Sequence, residues 1–331
     1  MATIHGSWRQ RLDSSEIRRS SQIAAVVNES LVVFGGELKP RQPVDNKLYR
    51  IPLNASSKPD DISPQEITAA PSPRVGSAST VLNGRIYLFS GRGGEAMAPI
   101  EEHGVLHVLN ESGNGWSTIK PSDAQAPIPP ARSYHAMTSN DDNTIFLHAG
   151  CPEKGRLSDL WSFDLSTNKW TQHADAPGPA RGGTSIAWLN GKLYRMNGFD
   201  GEHEQGFALD VYNLQSDRWT TKTWDTQSGP AARSVSTLLA LQIGGKDMLL
   251  TMFGECDPSS LGHQGAGRML GDVWAYDVAN DEWRRVEAEG STPASRGWFA
   301  ADRTAGKNGV VVQGGLAEDN TRMGDVWVLA F

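Results

Sequence analysis

Arginine recurs along this 331-residue chain at the start of successive apolar segments. The six positions are Arg19, Arg74, Arg132, Arg181, Arg233 and Arg296. A guanidinium group suits carboxylate, sulfate or phosphate because its N–H groups donate two parallel hydrogen bonds. If the six side chains surround one opening, they make a binding site for a small anion. The alternative is that individual arginines pair with carboxylates of neighbouring loops, such as Glu37, Asp200 or Glu255.

A second chemical pattern lies in the loop 255–270, which carries two carboxylates and an imidazole close together. Glu255, Asp257 and His263 form a donor set suited to Fe(II), Mn or Zn. The glycines of this segment let the loop fold back over a neighbouring opening. An ordinary polar loop has the same composition, so the spacing alone leaves both interpretations open.

The elements that must position these residues form an internal repeat. Six apolar runs end in glycine, at Gly36, Gly91, Gly150, Gly198, Gly254 and Gly315. Each run follows one of the arginines and precedes a polar loop, a second β pattern and, in most units, a tryptophan. Units of about 50 residues with four short strands each predict an all-β, six-bladed β-propeller of the kelch type. In the third unit Tyr134 and His135 follow Arg132, and strand alternation directs one of them, which we take to be Tyr134, toward the channel.

The two chain ends are predicted to meet. The sixth unit reaches Phe331 without a fourth strand, while Trp8 near the start of the chain sits in the pattern that marks such a strand. We therefore predict that residues 1–331 form a single propeller domain in which residues 1–12 complete blade 6, which removes an exposed sheet edge. The first unit has Ile67 where the tryptophan is expected, so its fourth strand is not marked.

Composition excludes several classes of function. The net charge of −7, without a Lys/Arg run, disfavours binding to nucleic acid or to a membrane surface. No apolar stretch approaches the roughly 20 residues that span a bilayer. The N-terminal segment lacks the apolar core of a signal peptide, and there are only two cysteines, so we expect a reducing, cytoplasmic location.

Several segments resemble the kelch-type specifier proteins of plants, namely the nitrile-specifier, epithiospecifier and thiocyanate-forming proteins. The resemblance covers essentially the whole chain. It is carried by RSSQIAAVVNESLVVFGGE, ARSYHAMTSNDDNTIFLHAG, ARGGTSIAWLNGKLYRMNGFDG, the loop from Glu255 to Gly267, and SRGWFAADRTAGKNGVVVQGG.

The resemblance implies a small anionic substrate, the aglucone that myrosinase releases from glucosinolates, and a nitrile, epithionitrile or thiocyanate product formed with Fe(II). It places the iron ligands at Glu255 and His263, which keep the family's separation. At the family's middle position, an Asp, this chain has Ser259, and Asp257 is the nearby carboxylate. It also implies a substrate-facing pair at Arg74 and Arg132.

Trp298 matches the apolar wall of the family's pocket. The leading functional hypothesis is therefore a lyase or isomerase that steers elimination or rearrangement of an activated anionic intermediate, with Fe(II) as an implied cofactor. Two alternatives stay open. One is a non-catalytic kelch module that binds an acidic peptide of a protein partner. The other is a metal-independent cyclase or isomerase of a natural-product pathway.

Overall fold

A computed structural model describes residues 3–53, 62–262 and 265–331, and almost every regular element in it is a β-strand. A 3-10 turn, Ser15–Ile17, follows the first strand. The strands from the N-terminus to the third repeat are β1 (Ile4–Asp13), β2 (Ile23–Val27), β3 (Ser30–Phe34), β4 (Glu37–Lys39), β5 (Gln42–Pro43), β6 (Leu48–Pro52), β7 (Ala78–Leu82), β8 (Arg85–Phe89), β9 (Arg92–Gly93), β10 (Ala98–Pro99), β11 (Leu106–Leu109), β12 (Trp116–Ile119), β13 (Ala136–Ser139), β14 (Thr144–Gly150), β15 (Leu157–Asp164) and β16 (Lys169–His173). The remaining strands are β17 (Ser185–Leu189), β18 (Lys192–Met196), β19 (Ala208–Asn213), β20 (Arg218–Thr223), β21 (Thr237–Ile243), β22 (Lys246–Met252), β23 (Glu255–Cys256), β24 (Arg268–Met269), β25 (Val273–Asp277), β26 (Glu282–Glu289), β27 (Ala300–Arg303), β28 (Gly309–Gln313) and β29 (Asp325–Ala330).

The strands form the six blades of a propeller, as the repeat predicts. Blades 2, 3 and 4 are four-stranded antiparallel sheets, built from β7, β8, β11 and β12, from β13 to β16, and from β17 to β20. The first strand of each blade borders an axial channel. Apolar clusters lie between neighbouring blades, and the repeated tryptophans pack there, as Trp170 does against Phe163 and Phe89. No helix among the described residues is long and apolar enough to cross a membrane.

The predicted closure of blade 6 by the N-terminus is confirmed. Strand β1 runs antiparallel to β29, with Trp8 opposite Leu329. The first residues of β1 also pair in parallel with β26, so that β1 joins blades 5 and 6 into one eight-stranded sheet. The Trp8 ring is buried and stacks on Phe253 of blade 5 at 6.0 Å.

Blade 1 departs from the four-strand pattern at the position of Ile67. Its sheet in the described ranges contains β2, β3 and β6, and beyond β6 a single bridge joins Leu48 to Gln65. Ile67 packs beside the cluster that contains Trp116 of blade 2. The missing tryptophan therefore coincides with a missing fourth strand in the part of blade 1 that is described.

Two closed rings of backbone hydrogen bonds hold the blades in register. In the first ring the N–H of each repeat glycine donates to the carbonyl of the next blade's repeat arginine at 2.8–2.9 Å, and Gly315 to Arg19 closes the circle. These glycines have φ between 91° and 114°, a region that side chains rarely adopt. In the second ring the residue two positions after each arginine donates to its counterpart in the preceding blade at 2.7–3.2 Å, and Ser21 to Trp298 closes it.

Replacing Trp8 by alanine should destabilise the propeller by about 3–5 kcal/mol, because a buried indole is lost from β1 where it packs on Phe253 of blade 5 and pairs with β29 of blade 6. Deleting residues 1–12 should cost at least as much. Gln10→Ala, an exposed position on the same strand, is the matched control. Denaturant unfolding measures both; a wild-type midpoint for Trp8→Ala would contradict the closure argument.

Candidate binding site at the mouth of the propeller

One end of the channel opens into a mouth whose lining follows from two positions of the repeat. In each blade the residue after the arginine pairs with the residue after the glycine through a short bridge. The residues after the glycine are Glu37, Arg92, Cys151, Phe199, Glu255 and Leu316. All six line the cavities at this mouth, so one position per blade decides the chemistry of its wall.

The floor of the mouth is the second hydrogen-bonded ring. Its members are Ser21, Gly76, Tyr134, Gly183, Val235 and Trp298, all with φ between 45° and 62°. For a bulky side chain this left-handed conformation costs about 1–2 kcal/mol, and such strain is concentrated at functional sites. Tyr134 and Trp298 are the large members, and both side chains line the cavities, where the sequence predicts them.

The mouth has a basic half and an apolar half. The basic cavity, of about 240 Å³, is lined by Arg41, Arg92, Arg156 and Arg322 together with Glu37 and Glu153. The apolar cavity, of about 380 Å³, has Phe199, Val235, Pro258 and Glu255 in its wall. Tyr134, Cys151, Arg156 and Trp298 belong to both. A ligand that fills both cavities therefore has an anionic end and an apolar end.

The arginines of the basic half differ in how far their donors are used. Arg92 donates to Ser133 Oγ and to the carbonyls of Met97 and Pro152 at 2.8–3.0 Å. Arg322 donates to Glu37 at 3.2 Å, which neutralises part of its charge. Arg156 donates only to the carbonyl of the adjacent Gly155, and its buried Nε has no partner among the described residues. Arg156 is thus a partly buried guanidinium group with donors left for a ligand.

The six repeat arginines do not line either cavity, which corrects the prediction that they point into the mouth. Each is 0–6% exposed, and each Nη1 donates at 2.9–3.1 Å to the carbonyl just before the repeat glycine of its own blade. The correction applies to Arg19, Arg74, Arg132, Arg181, Arg233 and Arg296. The physical reason is that a buried guanidinium group is stable only where its donors are satisfied, and the strand ends of its own blade satisfy them.

Five of these arginines also face a carboxylate, as the alternative interpretation anticipated, although the partners are other residues. Two-point pairs join Arg74 to Glu102, Arg132 to Asp159, Arg233 to Asp272 and Arg296 to Asp325, while Arg19 lies 3.8 Å from Asp45. An aromatic residue of the third strand holds each carboxylate from the other side. These residues are Tyr49, His107, Trp161, Trp274 and Trp327.

Of the two described members of the predicted metal set, Glu255 faces the mouth. Its side chain is buried and accepts a hydrogen bond from the Gly267 N–H at 2.7 Å. A Cβ at Gly267 would lie 2.6 Å from the Glu255 carboxylate, so only glycine lets the loop approach this closely. Burial, reinforced by the nearby Glu204 carboxylate, raises the pKa of Glu255 to about 7.

Asp257 is oriented differently. Its carboxylate is 75% exposed and pairs with Arg268 at 3.0 Å, because a φ of 56° at Asp257 turns the chain out of the short strand β23. His263 lies outside the described residues. Within the ranges that are described, no group of three His, Cys, Asp or Glu side chains converges. The set of Glu255, Asp257 and His263 therefore stays a prediction, with the Asp257 carboxylate paired to Arg268 in this structure.

The kelch-repeat pattern is also found by comparison with known proteins. The family model described as the KLHDC2/KLHL20/DRC7 kelch-repeats domain matches residues 21–254. The chain belongs to the kelch-repeat family. The solved structure of YjhT superimposes on this kelch propeller with a TM-score of 0.71 at 15% identity, over 96% of both chains, which supports the fold alone.

Two curated relatives illustrate the range of this kelch family. N-(sulfonatooxy)prop-2-enimidothioate sulfolyase of Thlaspi arvense is 26% identical over 99% of this chain and 98% of its own length, which confirms the resemblance to specifier proteins. Kelch domain-containing protein 3 of Bos taurus is 29% identical over 48% of this chain and 43% of its own length.

Sequence reasoning missed Arg92 and Arg156 as residues of the mouth. Arg92 directly follows Gly91, so the position after the repeat glycine would have identified it. Arg156 lies within the loop between β14 and β15, where no repeat position marks it. The other six arginines recur regularly because each occupies the same structural position in its kelch blade, and this position does not line the mouth.

The arginine pairs predict a pH-dependent contribution to stability at Glu102. The Arg74 and His107 partners outweigh burial and lower the pKa of Glu102 to about 2. A depressed carboxylate pKa stabilises the fold above the unfolded value near 4.5, and this contribution is lost as the pH falls toward 2.

Glu102→Gln should therefore cost about 1–3 kcal/mol at pH 7, since the side chain is partly solvated. Its difference from wild type should shrink between pH 5 and pH 3. Glu101→Gln, at the exposed neighbouring carboxylate, is the control. A difference that stays constant over this pH range would refute the pairing.

Proposed function

We propose that this kelch protein is a specifier-like lyase that binds a small sulfated molecule in the mouth and promotes the loss of sulfate. The observation that carries the proposal is the incompletely used, partly buried guanidinium group of Arg156, which lines both the basic and the apolar cavity together with Tyr134 and Trp298. The name of the sulfolyase relative describes a substrate with an N–O–sulfonate group and a thioate sulfur. Such a molecule has an anionic end and an organic end, as the two cavities require.

Loss of sulfate requires stabilisation of the negative charge that develops on the leaving group. When the N–O bond breaks, its electron pair departs with the sulfate, which becomes a dianion, and the remaining carbon–nitrogen–sulfur fragment loses its charge. Positive charge placed at the departing oxygens lowers the barrier because it interacts more strongly with the transition state than with the substrate. Arg156 supplies that charge directly, and Arg92 adds a fixed charge held by three hydrogen bonds.

The apolar half positions the organic end. Phe199, Val235 and Trp298 offer a largely apolar wall, and the Trp298 backbone is held in place by the second hydrogen-bonded ring. Excluding water beside Trp298 strengthens the interaction between Arg156 and the leaving sulfate. The resemblance implies Fe(II), but among the described residues only Glu255 of the implied ligands presents its carboxylate to this cavity, and no step above requires a metal.

Arg156→Ala should lower kcat/KM about 100-fold, because it removes the donors nearest to the leaving group. Lys154→Ala, an exposed cation of the same loop, is the matched control. The assay is the share of nitrile or thiocyanate product formed from an aglucone released in situ by myrosinase. Wild-type product shares in Arg156→Ala would contradict the proposed anion site.

Two variants, Asp257→Asn and Glu255→Ala, test whether these carboxylates bind Fe(II). Asp257→Asn should leave turnover and anaerobic Fe(II) binding at the wild-type level, because that carboxylate pairs with Arg268 on the surface. Glu255→Ala should lower turnover about tenfold, because it removes the hydrogen bond between the Gly267 N–H and this carboxylate of the cavity wall. If Asp257→Asn instead abolishes both Fe(II) binding and turnover, the iron ligand set implied by the resemblance is correct.

A partner-binding function is favoured by a different observation at the same rim. Leu38, in the short strand β4 of blade 1, is 47% exposed, and Leu261, on a loop of blade 5, is 71% exposed. Exposed leucines beside arginines suit an acidic peptide with apolar residues. On this alternative the mouth captures a segment of another protein, and Arg156→Ala impairs capture while no product is formed by the wild type.

A further inference from the structure

Blade 4 lacks the carboxylate that the other blades provide for their repeat arginine. Tyr212 faces Trp219 in the same register in which Phe163 faces Trp170 in blade 3 and Tyr276 faces Trp283 in blade 5. Four residues before this aromatic residue, blade 3 has Asp159 and blade 5 has Asp272, the carboxylates that bind the arginines. Blade 4 has Ala208 at this position.

The position of the aromatic donor has changed as well. Where blades 3 and 5 have Trp161 and Trp274, blade 4 has Asp210. Asp210 does not replace the missing partner, because it pairs with Arg195 and accepts a hydrogen bond from Thr221. Both halves of the usual arrangement are thus absent around one arginine, Arg181.

Arg181 keeps only its backbone contacts. Its Nε donates to the Pro179 carbonyl and its Nη1 to the Asn197 carbonyl, each at 3.1 Å. No carboxylate of the described residues lies within 4.0 Å of it, and no described group accepts from Nη2. Asp200, one of three acidic residues in the neighbouring loop, is occupied by its own backbone turn and by Gln205.

This cation is both buried and poorly compensated. Arg181 is 6% exposed, and burial together with the Arg195 charge lowers its pKa to about 9. The four blades with two-point pairs have a carboxylate at Nη1 and Nη2 within 2.6–3.0 Å. These four pairs show the geometry in which a carboxylate binds a repeat arginine. A carboxylate from solution would supply the missing charge and hydrogen bonds.

A glycine lies beside Nη2 of Arg181. Gly178 has a φ of 73°, and a Cβ there would lie 3.2 Å from Nη2 of Arg181. Pro177 and Pro179 flank this glycine and fix the loop around it. We propose that the outer edge of the Arg181 guanidinium group is a binding site for a single carboxylate, at a place separate from the mouth and independent of the proposed lyase function.

The proposal predicts a specific effect of carboxylate ions on thermal stability. Wild-type protein should melt at a higher temperature in sodium formate than in sodium chloride of equal ionic strength. Ala208→Asp supplies the carboxylate covalently, so it should raise the melting temperature in chloride and remove the formate-specific shift. Ala208→Asn, of the same shape but neutral, separates the charge from the added volume.

Asp159→Ala creates the blade 4 arrangement in blade 3 and provides the reciprocal test. It should lower the melting temperature in chloride and gain a formate-specific recovery. A short peptide with one glutamate, acetylated and amidated at its ends, tests whether the site also binds the carboxylate of a peptide. A rise in melting temperature with either formate or this peptide supports the site. Equal melting temperatures of wild type in formate and chloride, or equal formate shifts in wild type and Ala208→Asp, would overturn the proposal.

Discussion

The propeller depends on compensating one buried cation per blade. An unpaired guanidinium group in a protein interior is costly, and removing one partner of a buried ion pair costs about 3–5 kcal/mol. In this chain each repeat arginine donates a hydrogen bond to the carbonyl just before the glycine of its own blade, which offsets part of this cost. Five of the six arginines also pair with a carboxylate. The arginine carbonyl then binds the glycine N–H of the preceding blade, so the same residue sets the spacing of the blades.

The chemistry of the mouth follows from this arrangement. With the arginine fixed in the interior, the backbone turns, and the residue two positions later enters the central ring with positive φ. The mouth is therefore lined by positions that the scaffold leaves free to vary: Tyr134 and Trp298 in the ring, and Arg92, Phe199 and Glu255 after the glycines. In such a scaffold the buried arginines that stabilise the blades and the residues that line the mouth are close in sequence, but they are different side chains.

The sequence was sufficient to predict the blade count and the closure by Trp8, because glycines, tryptophans and alternation are local consequences of strand geometry. It left the fourth strand of the first blade unmarked. It was not sufficient to assign the arginines. Regular recurrence marked Arg74 and Arg132, yet a residue that every blade requires serves the scaffold, and their partners Glu102 and Asp159 are about 28 residues away in sequence. The direction of the Asp257 side chain depends on a single backbone angle, which composition does not encode.

The central claim is that the mouth, with Arg156 at the junction of its two halves, is the site that recognises an anion. The most direct measurement is a crystal structure of the protein soaked with a stable sulfated analogue of the aglucone. The account predicts the sulfate at Nε and the free Nη of Arg156, with the organic group against Trp298 and Phe199. An analogue bound elsewhere on the protein, with the mouth unaltered, would contradict it.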